Sequence, residues 1–284
     1  MAHVIDGKAI AKEIRARVKE EVEALKAKGV QPSVDVVLVG EDPGSLQYAR
    51  SKERTAGKLG IEFRLHQLPE SASQEEVEGL IKRLSDDPKV YAIMLELPLP
   101  KHLEAGRVLE LINPAKDVDG LNPASLGRLA AGLPCFAPNT PQAVIRILEH
   151  EGVELLGKRA VVIGRSVQVG KPLFFLLLAR HATVTVCHSK TRELGEITRQ
   201  AEVLVVAAGR AGLVKGDMIM PGAVVIDVGT NVLEDGTTVG DVDFDSAKEV
   251  AGMITPVPGG VGPVTTATLF ENVVEAAKRN SGVA

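Results

Sequence analysis

The chain of 284 residues has no tryptophan, two tyrosines, six phenylalanines and two cysteines. Cys135 and Cys187 stand far apart with no paired spacing, which excludes a disulfide framework, a structural zinc site and a redox dithiol. The six histidines are equally scattered, so no metal site is expected. Charge of one sign is also lacking: the net charge is −4 with both signs dispersed. No basic face is left to follow a phosphate backbone, and nucleic acid is not an expected partner. Long apolar runs are missing too. The stretch 173–179 is far too short to span a bilayer, and no charged-then-apolar signal opens the chain, so the protein is expected off the membrane and in the cytoplasm. No internal repeat or low-complexity segment occurs. Few Asn and Gln beside many Arg, Glu and Pro lean the composition toward heat stability.

What is present is ordinary globular material, 45% hydrophobic and long enough for two domains. Apolar residues Ile10, Ile14, Val18, Val22 and Leu25 keep helical spacing over 9–28, and Gly29 ends the run. Strands are expected over 34–39, 62–68 and 90–95, separated by helices over 45–59 and 74–84. Such a βαβ series makes a parallel sheet, and ligands gather outside the carboxyl ends of its strands. Residues 113–140, rich in Pro, Gly and Asn, read as an interdomain passage with one short helix around 126–131. A helix over 141–150 leads into a second series, with strands near Ala160, Thr183, Val203 and Val224 and over 253–257. A proline- and glycine-rich loop over 256–263 and a last helix over 265–279 follow. The expected class is α/β: two βαβ domains with parallel sheets, the second Rossmann-like, with a cleft between them. The first domain is expected over 1–137, with a C-terminal helix over 265–284 packing back on it, and the second over 138–264.

The most specific motif is the strand-to-helix turn over 159–172. A buried-strand pattern ends at Ile163, Gly164 allows a sharp bend, and Gly170 lets the next helix pack close and aim its N-terminal amides at a pyrophosphate. About twenty residues on, where an NAD site would end its second strand in Asp or Glu, this chain reads His188-Ser189-Lys190. With Arg165 in the turn, that cationic, hydroxyl-bearing edge suits a 2′-phosphate, so NADP is the expected cofactor. His188 is as well suited to capping a strand as to touching cofactor.

Other residues could do chemistry. After the turn Gly40-Glu41-Asp42-Pro43-Gly44, Ser45 begins a helix carrying Tyr48 and Lys52, four apart and on one face. A phenol beside an amine offers a stacking surface and a proton carrier; the alternative is a surface helix with a half-buried Tyr and a solvated Lys. Tyr-x-x-x-Lys after a serine also occurs in short-chain dehydrogenases, but there the glycine turn precedes the tyrosine, and here Tyr48 precedes Gly164 by more than a hundred residues. Glu96, in Glu96-Leu97-Pro98-Leu99-Pro100, closes the third strand. Lys116-Asp117-Val118-Asp119-Gly120 leaves carboxylates near it; each aspartate either serves a ligand or holds the turn through its own backbone. The loop over 256–263 forms a rigid wall that a flat ligand could approach.

Together these segments closely resemble the bifunctional methylenetetrahydrofolate dehydrogenase/methenyltetrahydrofolate cyclohydrolase family. The resemblance is carried, in order, by residues 40–52, 97–100, 114–121, 138–141, 162–172, 227–231, 240–244 and 255–265. It implies NADP-dependent oxidation of 5,10-methylenetetrahydrofolate and hydrolysis of the methenyl product to 10-formyltetrahydrofolate, in a cytoplasmic homodimer. It places the stacking tyrosine at Tyr48, the catalytic lysine at Lys52 and the pterin-binding aspartate at Asp119. The folate-side positions fall at Leu97, Pro258, Gly259 and Gly262, and the cofactor contacts at Gly164, Arg165, Ser166, Gly170, Ser189 and Thr230.

Two positions depart from the family pattern. Glu96 stands where the family usually has Gln, and a carboxylate beside Lys52 would hold the amine as ammonium, against a neutral catalytic amine. Either hydrolysis is weakened while dehydrogenation survives, or Glu96 itself carries the proton. Asn139 stands where the family often has Cys, a change expected to matter little because no reaction step requires a thiol. A non-catalytic nucleotide-binding module is the remaining alternative, opposed by the joint retention of Tyr48, Lys52, Asp119 and the turn.

Overall fold

A computed structural model describes residues 1–282. In chain order the elements are β1 (His3–Val4), α1 (Gly7–Ala27), β2 (Ser33–Val39), α2 (Pro43–Leu59), β3 (Glu62–Leu68), α3 (Gln74–Asp86), β4 (Ile93–Leu95), α4 (Ala105–Glu110), α5 (Pro123–Ala130) and α6 (Asn139–His150). Then come β5 (Arg159–Ile163), α7 (Gly170–Leu178), β6 (Thr183–Cys187), α8 (Leu194–Thr198), β7 (Val203–Val206) and β8 (Val224–Asp227). A hairpin of β9 (Asn231–Val232) and β10 (Thr238–Val239), then α9 (Phe244–Ala247), β11 (Met253–Ile254) and α10 (Val261–Ser281), complete the fold.

The chain divides into two compact units, one of residues 13–139 and 269 onward, the other of residues 1–12 and 140–268. The first holds a parallel three-stranded sheet in the order β3-β2-β4. Its centre is β2, whose seven residues are all buried, as a parallel strand covered on both faces requires. Val37, Val39, Val77, Ile81, Ile93 and Leu95 form its core with α3.

The second unit holds a parallel six-stranded sheet in the order β1-β11-β8-β7-β5-β6. Its core gathers Val161, Ile163, Leu204, Val206, Val225 and Ile254. In both sheets the chain leaves a central strand first to one side and later to the other, so each has a switch point where crossing helices diverge: beside β2 and β4 in the small sheet, beside β5 and β7 in the large one. These are the places where a doubly wound sheet opens a crevice at its carboxyl edge.

Several expectations shift in detail. Met1–Lys12 belongs with the large sheet, because β1 pairs in parallel with β11 and forms the edge of that sheet; two residues are too few to show a strand period in the sequence. The third strand is three residues long, since its residue pairing with β2 begins at Ile93, opposite Asp35. The last helix begins at Val261, four residues early, because Gly262 and Pro263 fit a first turn whose amides need no helical partner. Its residues from Leu269 cluster with the small-sheet unit, and residues 283–284 of the expected 265–284 segment lie outside those described. Among the described residues no helix is long and apolar enough to cross a membrane.

A buried cation closes the small-sheet core. Lys116 Nζ donates to the carbonyls of Ser85 and Asp87 at 2.7 Å each and of Leu84 at 3.3 Å, taking up the open end of α3. Burial lowers its pKa. Lys116→Met should cost about 2 kcal/mol by leaving those carbonyls unpaired, read as a lower urea midpoint with an unchanged slope.

Candidate active site

The small-sheet switch point is built by α2 and the end of β4. Asp42 caps α2 by accepting from Ser45 N at 2.8 Å and from Ser45 Oγ at 2.9 Å, which holds its carboxyl below the usual range. Pro43 fits the first turn, so the helix starts two residues before the expected Ser45. Ala49, Ala56 and Leu59 are its buried stripe, and Lys52 falls on that stripe. Tyr48, one turn earlier, is 62% exposed and presents its ring to solvent.

Glu96 is fixed from the sheet. Its N–H donates to the Val37 carbonyl at 2.9 Å, carrying the ladder one residue past β4. The cis bond Leu97–Pro98 then turns the chain away. Lys52 Nζ donates to both Glu96 oxygens, at 2.6 and 2.9 Å, and lies 3.8 Å from Met94 Sδ. The side chains are only 14% and 8% exposed, so the pair is shielded from solvent and little screened. The sequence alternative of a solvated lysine is thereby corrected: the helix register turns Lys52 inward to a carboxylate.

Asp117 and Asp119 separate into different roles. Asp117 bridges alongside Ile93 of β4 and accepts from Leu121 N, Asn122 N and Ser125 Oγ, so it is the residue that holds the turn. Asp119 is half-buried and accepts from Asn139 Nδ2 at 2.7 Å. Burial pushes its carboxyl up to about 6, against the pull of Lys52 and the Asn139 hydrogen bond and with the push of Asp117 and Glu96. Asn139, expected to matter little, therefore touches the site carboxylate directly. The contact was invisible in the sequence because it joins residues twenty positions apart that no local spacing pairs.

In the large sheet, the glycine turn occupies the switch point. Gly164 follows β5 at φ 134°, beside the Ala207 carbonyl that follows β7, and a Cβ on Gly170 would run into the Gly164 carbonyl. The two glycines thus let three stretches of backbone meet at the mouth of the sheet. Arg165 and Ser166 are exposed on the turn, with Ser166 Oγ accepting from Val169 N at 3.1 Å. Ser189 is exposed just past β6, while His188 Nδ1 accepts from Lys190 N at 3.1 Å and so serves its own turn.

Thr230 is exposed after β8. The loops around it are tied by two buried aspartates that sequence reasoning gave no role. Asp227 accepts from the N–H of Gly229, Asp241 and Val242, yet burial pushes its carboxyl up to about 6. Asp241 accepts from the N–H of Ala208, Gly209 and Arg210 and from Asn231 Nδ2. Pro258 and Gly259 lie in the loop after β11, Gly259 at φ 110° and Pro258 exposed after the cis bond Val257–Pro258. Gly262 is in the first turn of α10. Among the described residues, no group of three or more His, Cys, Asp or Glu is placed to hold a metal ion.

Comparison with known proteins agrees with this two-part layout. Residues 5–119 match the family model of the tetrahydrofolate dehydrogenase/cyclohydrolase catalytic domain, and residues 138–281 that of its NAD(P)-binding domain. The chain is 53% identical over 278 residues to the bifunctional protein FolD of Moorella thermoacetica, covering 98% of this chain and 99% of that protein. It resembles the crystal structure of the bifunctional FolD methylenetetrahydrofolate dehydrogenase/cyclohydrolase of Campylobacter jejuni, at 44% identity and TM-score 0.97 over 98% of this chain and 99% of that one. It is also similar to the Trypanosoma brucei enzyme complexed with NADP cofactor and inhibitor, at 40% identity and TM-score 0.94, covering 100% and 99%.

The shielded ion pair generates a stability prediction. Lys52→Met strands a buried carboxylate and should cost about 3 kcal/mol, whereas Lys52→Met with Glu96→Met should recover most of that loss. A double-mutant cycle in urea measures it, and additive losses would show that the two groups do not act as a pair.

Proposed function

Because this chain belongs to the tetrahydrofolate dehydrogenase/cyclohydrolase family, we propose that Tyr48, Lys52, Glu96 and Asp119 hold and transform the folate while the Gly164 turn holds NADP. The protein is a bifunctional enzyme that oxidises 5,10-methylenetetrahydrofolate with NADP and hydrolyses the methenyl product to 10-formyltetrahydrofolate. The observation carrying the residue assignment is the shielded Lys52–Glu96 pair, set at a sheet switch point with Asp119 close enough to feel its charge.

The cofactor fits the turn on this chain's own geometry. Gly164 and Gly170 leave open a cradle that side chains would fill, the nine-residue α7 starts there, and Arg165 is the exposed cation beside it. Gly164, Ser166 and Gly170 are proposed at the pyrophosphate, Arg165 and Ser189 at the 2′-phosphate, and Thr230 at the rim of the site. NADP supplies the hydride acceptor. The protein's part in that step is positioning, because a methylene between two nitrogens gives a delocalised cation directly when hydride leaves and needs no acid or base. Tyr48 offers a ring face for stacking, Leu97 an apolar contact, and Pro258, Gly259 and Gly262 further folate contacts. Asp119 accepts from the pterin amino and ring N–H groups through charge-assisted hydrogen bonds.

Hydrolysis asks for proton transfers. Water adds to the methenyl carbon and releases one proton, and as the ring opens the carbinol proton is lost while N5 gains one, so the net reaction releases a single proton. Lys52 and Glu96, in direct contact at 2.6 Å, can pass these protons between them. The pair answers the objection that an ammonium is no base: the carboxylate beside it can take the proton. We further propose a homodimer working in the cytoplasm; a family resemblance supports this, and sedimentation at micromolar concentration tests the oligomeric state.

Three outcomes test the assignment. Glu96→Gln removes the carboxylate that takes the proton from water, so hydrolysis should slow across pH while the dehydrogenase rate stays close to wild type. Decay of methenyl absorbance across pH measures this, and an unchanged profile would remove Glu96 from the mechanism. Asp119 binds as the anion, so kcat/KM for methylenetetrahydrofolate should fall as pH drops through about 6. Combined Arg165→Ala and Ser189→Ala should cut the preference for NADP over NAD by about tenfold or more, measured as the ratio of kcat/KM values; an unaltered ratio refutes the phosphate edge.

A further inference from the structure

Asp119 does not hold its position alone. Asn139 Nδ2 donates to Asp119 Oδ1 at 2.7 Å, and Asn139 Oδ1 accepts from Asn272 Nδ2 at 2.8 Å. Asn272 Nδ2 also donates to the Val118 carbonyl at 3.0 Å. Both asparagines are buried, and both lie in the small-sheet unit with Asp119.

The direction of this chain is dictated from one end. An asparagine amide is nearly symmetric in shape, and only its partners decide which end donates. A backbone carbonyl only accepts, so the Asn272 group that faces Val118 is the NH₂. Its second N–H then meets the oxygen of Asn139, and that turns the Asn139 NH₂ toward Asp119. An NH₂ cannot accept a proton from a carboxylic acid. Oδ1 of Asp119 therefore always faces a donor, and a proton taken up by this carboxylate resides on Oδ2.

We infer that Asn139 and Asn272 are positioning residues for the folate reactions, a two-amide relay that pins Oδ1 of Asp119 and leaves Oδ2 directed to the substrate. This rests on the reading of Asp119 as the pterin-holding carboxylate. The charged groups acting on Asp119 are Lys52 of α2, Glu96 after β4, and Asp117 on its own segment. Lys52 favours the anion, the two carboxylates oppose it, and burial opposes it most. The Asn139 donor favours the anion, so its removal moves the titration of Asp119 upward.

The test is steady-state dehydrogenase kinetics across pH on the full enzyme for Asn139→Leu, Asn272→Leu and their combination, with circular dichroism confirming folding. Asn139→Leu should raise KM for methylenetetrahydrofolate about tenfold, the loss expected when one hydrogen bond to a charged group is removed. KM for NADP should stay constant, and the acid limb of kcat/KM should move to higher pH. Asn272→Leu leaves every direct contact of Asp119 in place, yet should shift both readings the same way by less. The combination should be no worse than Asn139→Leu, because the two act in series. Asn139→Ser, which keeps a donor, should restore part of the loss and replaces Asn139→Leu if that variant fails to fold. Folded relay variants with wild-type folate KM and acid limb would overturn the inference. Asp119→Asn, assayed alongside, separates the two readings: wild-type folate KM there would mean that the assignment of Asp119 itself is wrong, whereas a raised KM there with unaffected relay variants would defeat the relay alone.

Discussion

Parallel strands cannot be joined by tight turns, and this constraint organises the molecule. Each crossing must return through a helix over the face of the sheet, so the carboxyl edge becomes a row of loops and helix starts. Where successive crossings diverge, that edge opens. The small sheet places Lys52 and Glu96 at such a point, from α2 and the end of β4. The large sheet places Gly164 at another, against the chain that follows β7. A single geometric rule thus positions two different features, a shielded ion pair at one edge and a glycine turn at the other.

The small-sheet edge depends on charges kept from water. Lys52 and Glu96 compensate one another at close range, and Asp119 remains ionisable near neutrality because burial and the neighbouring carboxylates work against Lys52 and Asn139. Environment, more than residue type, thus sets how readily Asp119 holds a proton. The large-sheet edge is organised differently. There, buried carboxylates serve the backbone: Asp227 and Asp241 accept six main-chain N–H groups between them and shape the loops after β7 and β8.

Much of this was legible in the sequence. The apolar runs of β2 and β5, the helical spacing of α1 and the glycine turn each follow a local period that a single strand or helix must show. Lys52 and Glu96 were brought together by the family resemblance, which sets the position of Glu96 beside the catalytic lysine; spacing alone did not pair them. β1, α4 and α9, short and outside any sustained apolar run, carry too little pattern to be read. The relay through Asn139 and Asn272 was unreadable for another reason. It joins residues far apart in the chain, Asn139 at the start of α6 has an ordinary local use and Asn272 lies within α10 like any other polar helical residue, so nothing at either position signalled the partner. Likewise Asp117 and Asp119 look alike on paper, and only the bridge to Ile93 shows which one the turn consumes.

The ties made by Asp241 have a consequence for how this fold can change over time. Asn231 and Asp241 clamp both ends of the β9–β10 hairpin, and the same carboxylate fastens the loop at 208–210. Beyond the clamp, the hairpin closes on itself through Leu233 N and Thr237 O, and Val232 and Leu233 are exposed. Lengthening a closed surface loop costs little, since closure entropy grows only with the logarithm of its length. Residues 233–237 are therefore a place where descendants of this chain can gain or lose segments, and with them new surfaces, while the loops tied by Asp241 keep their shape.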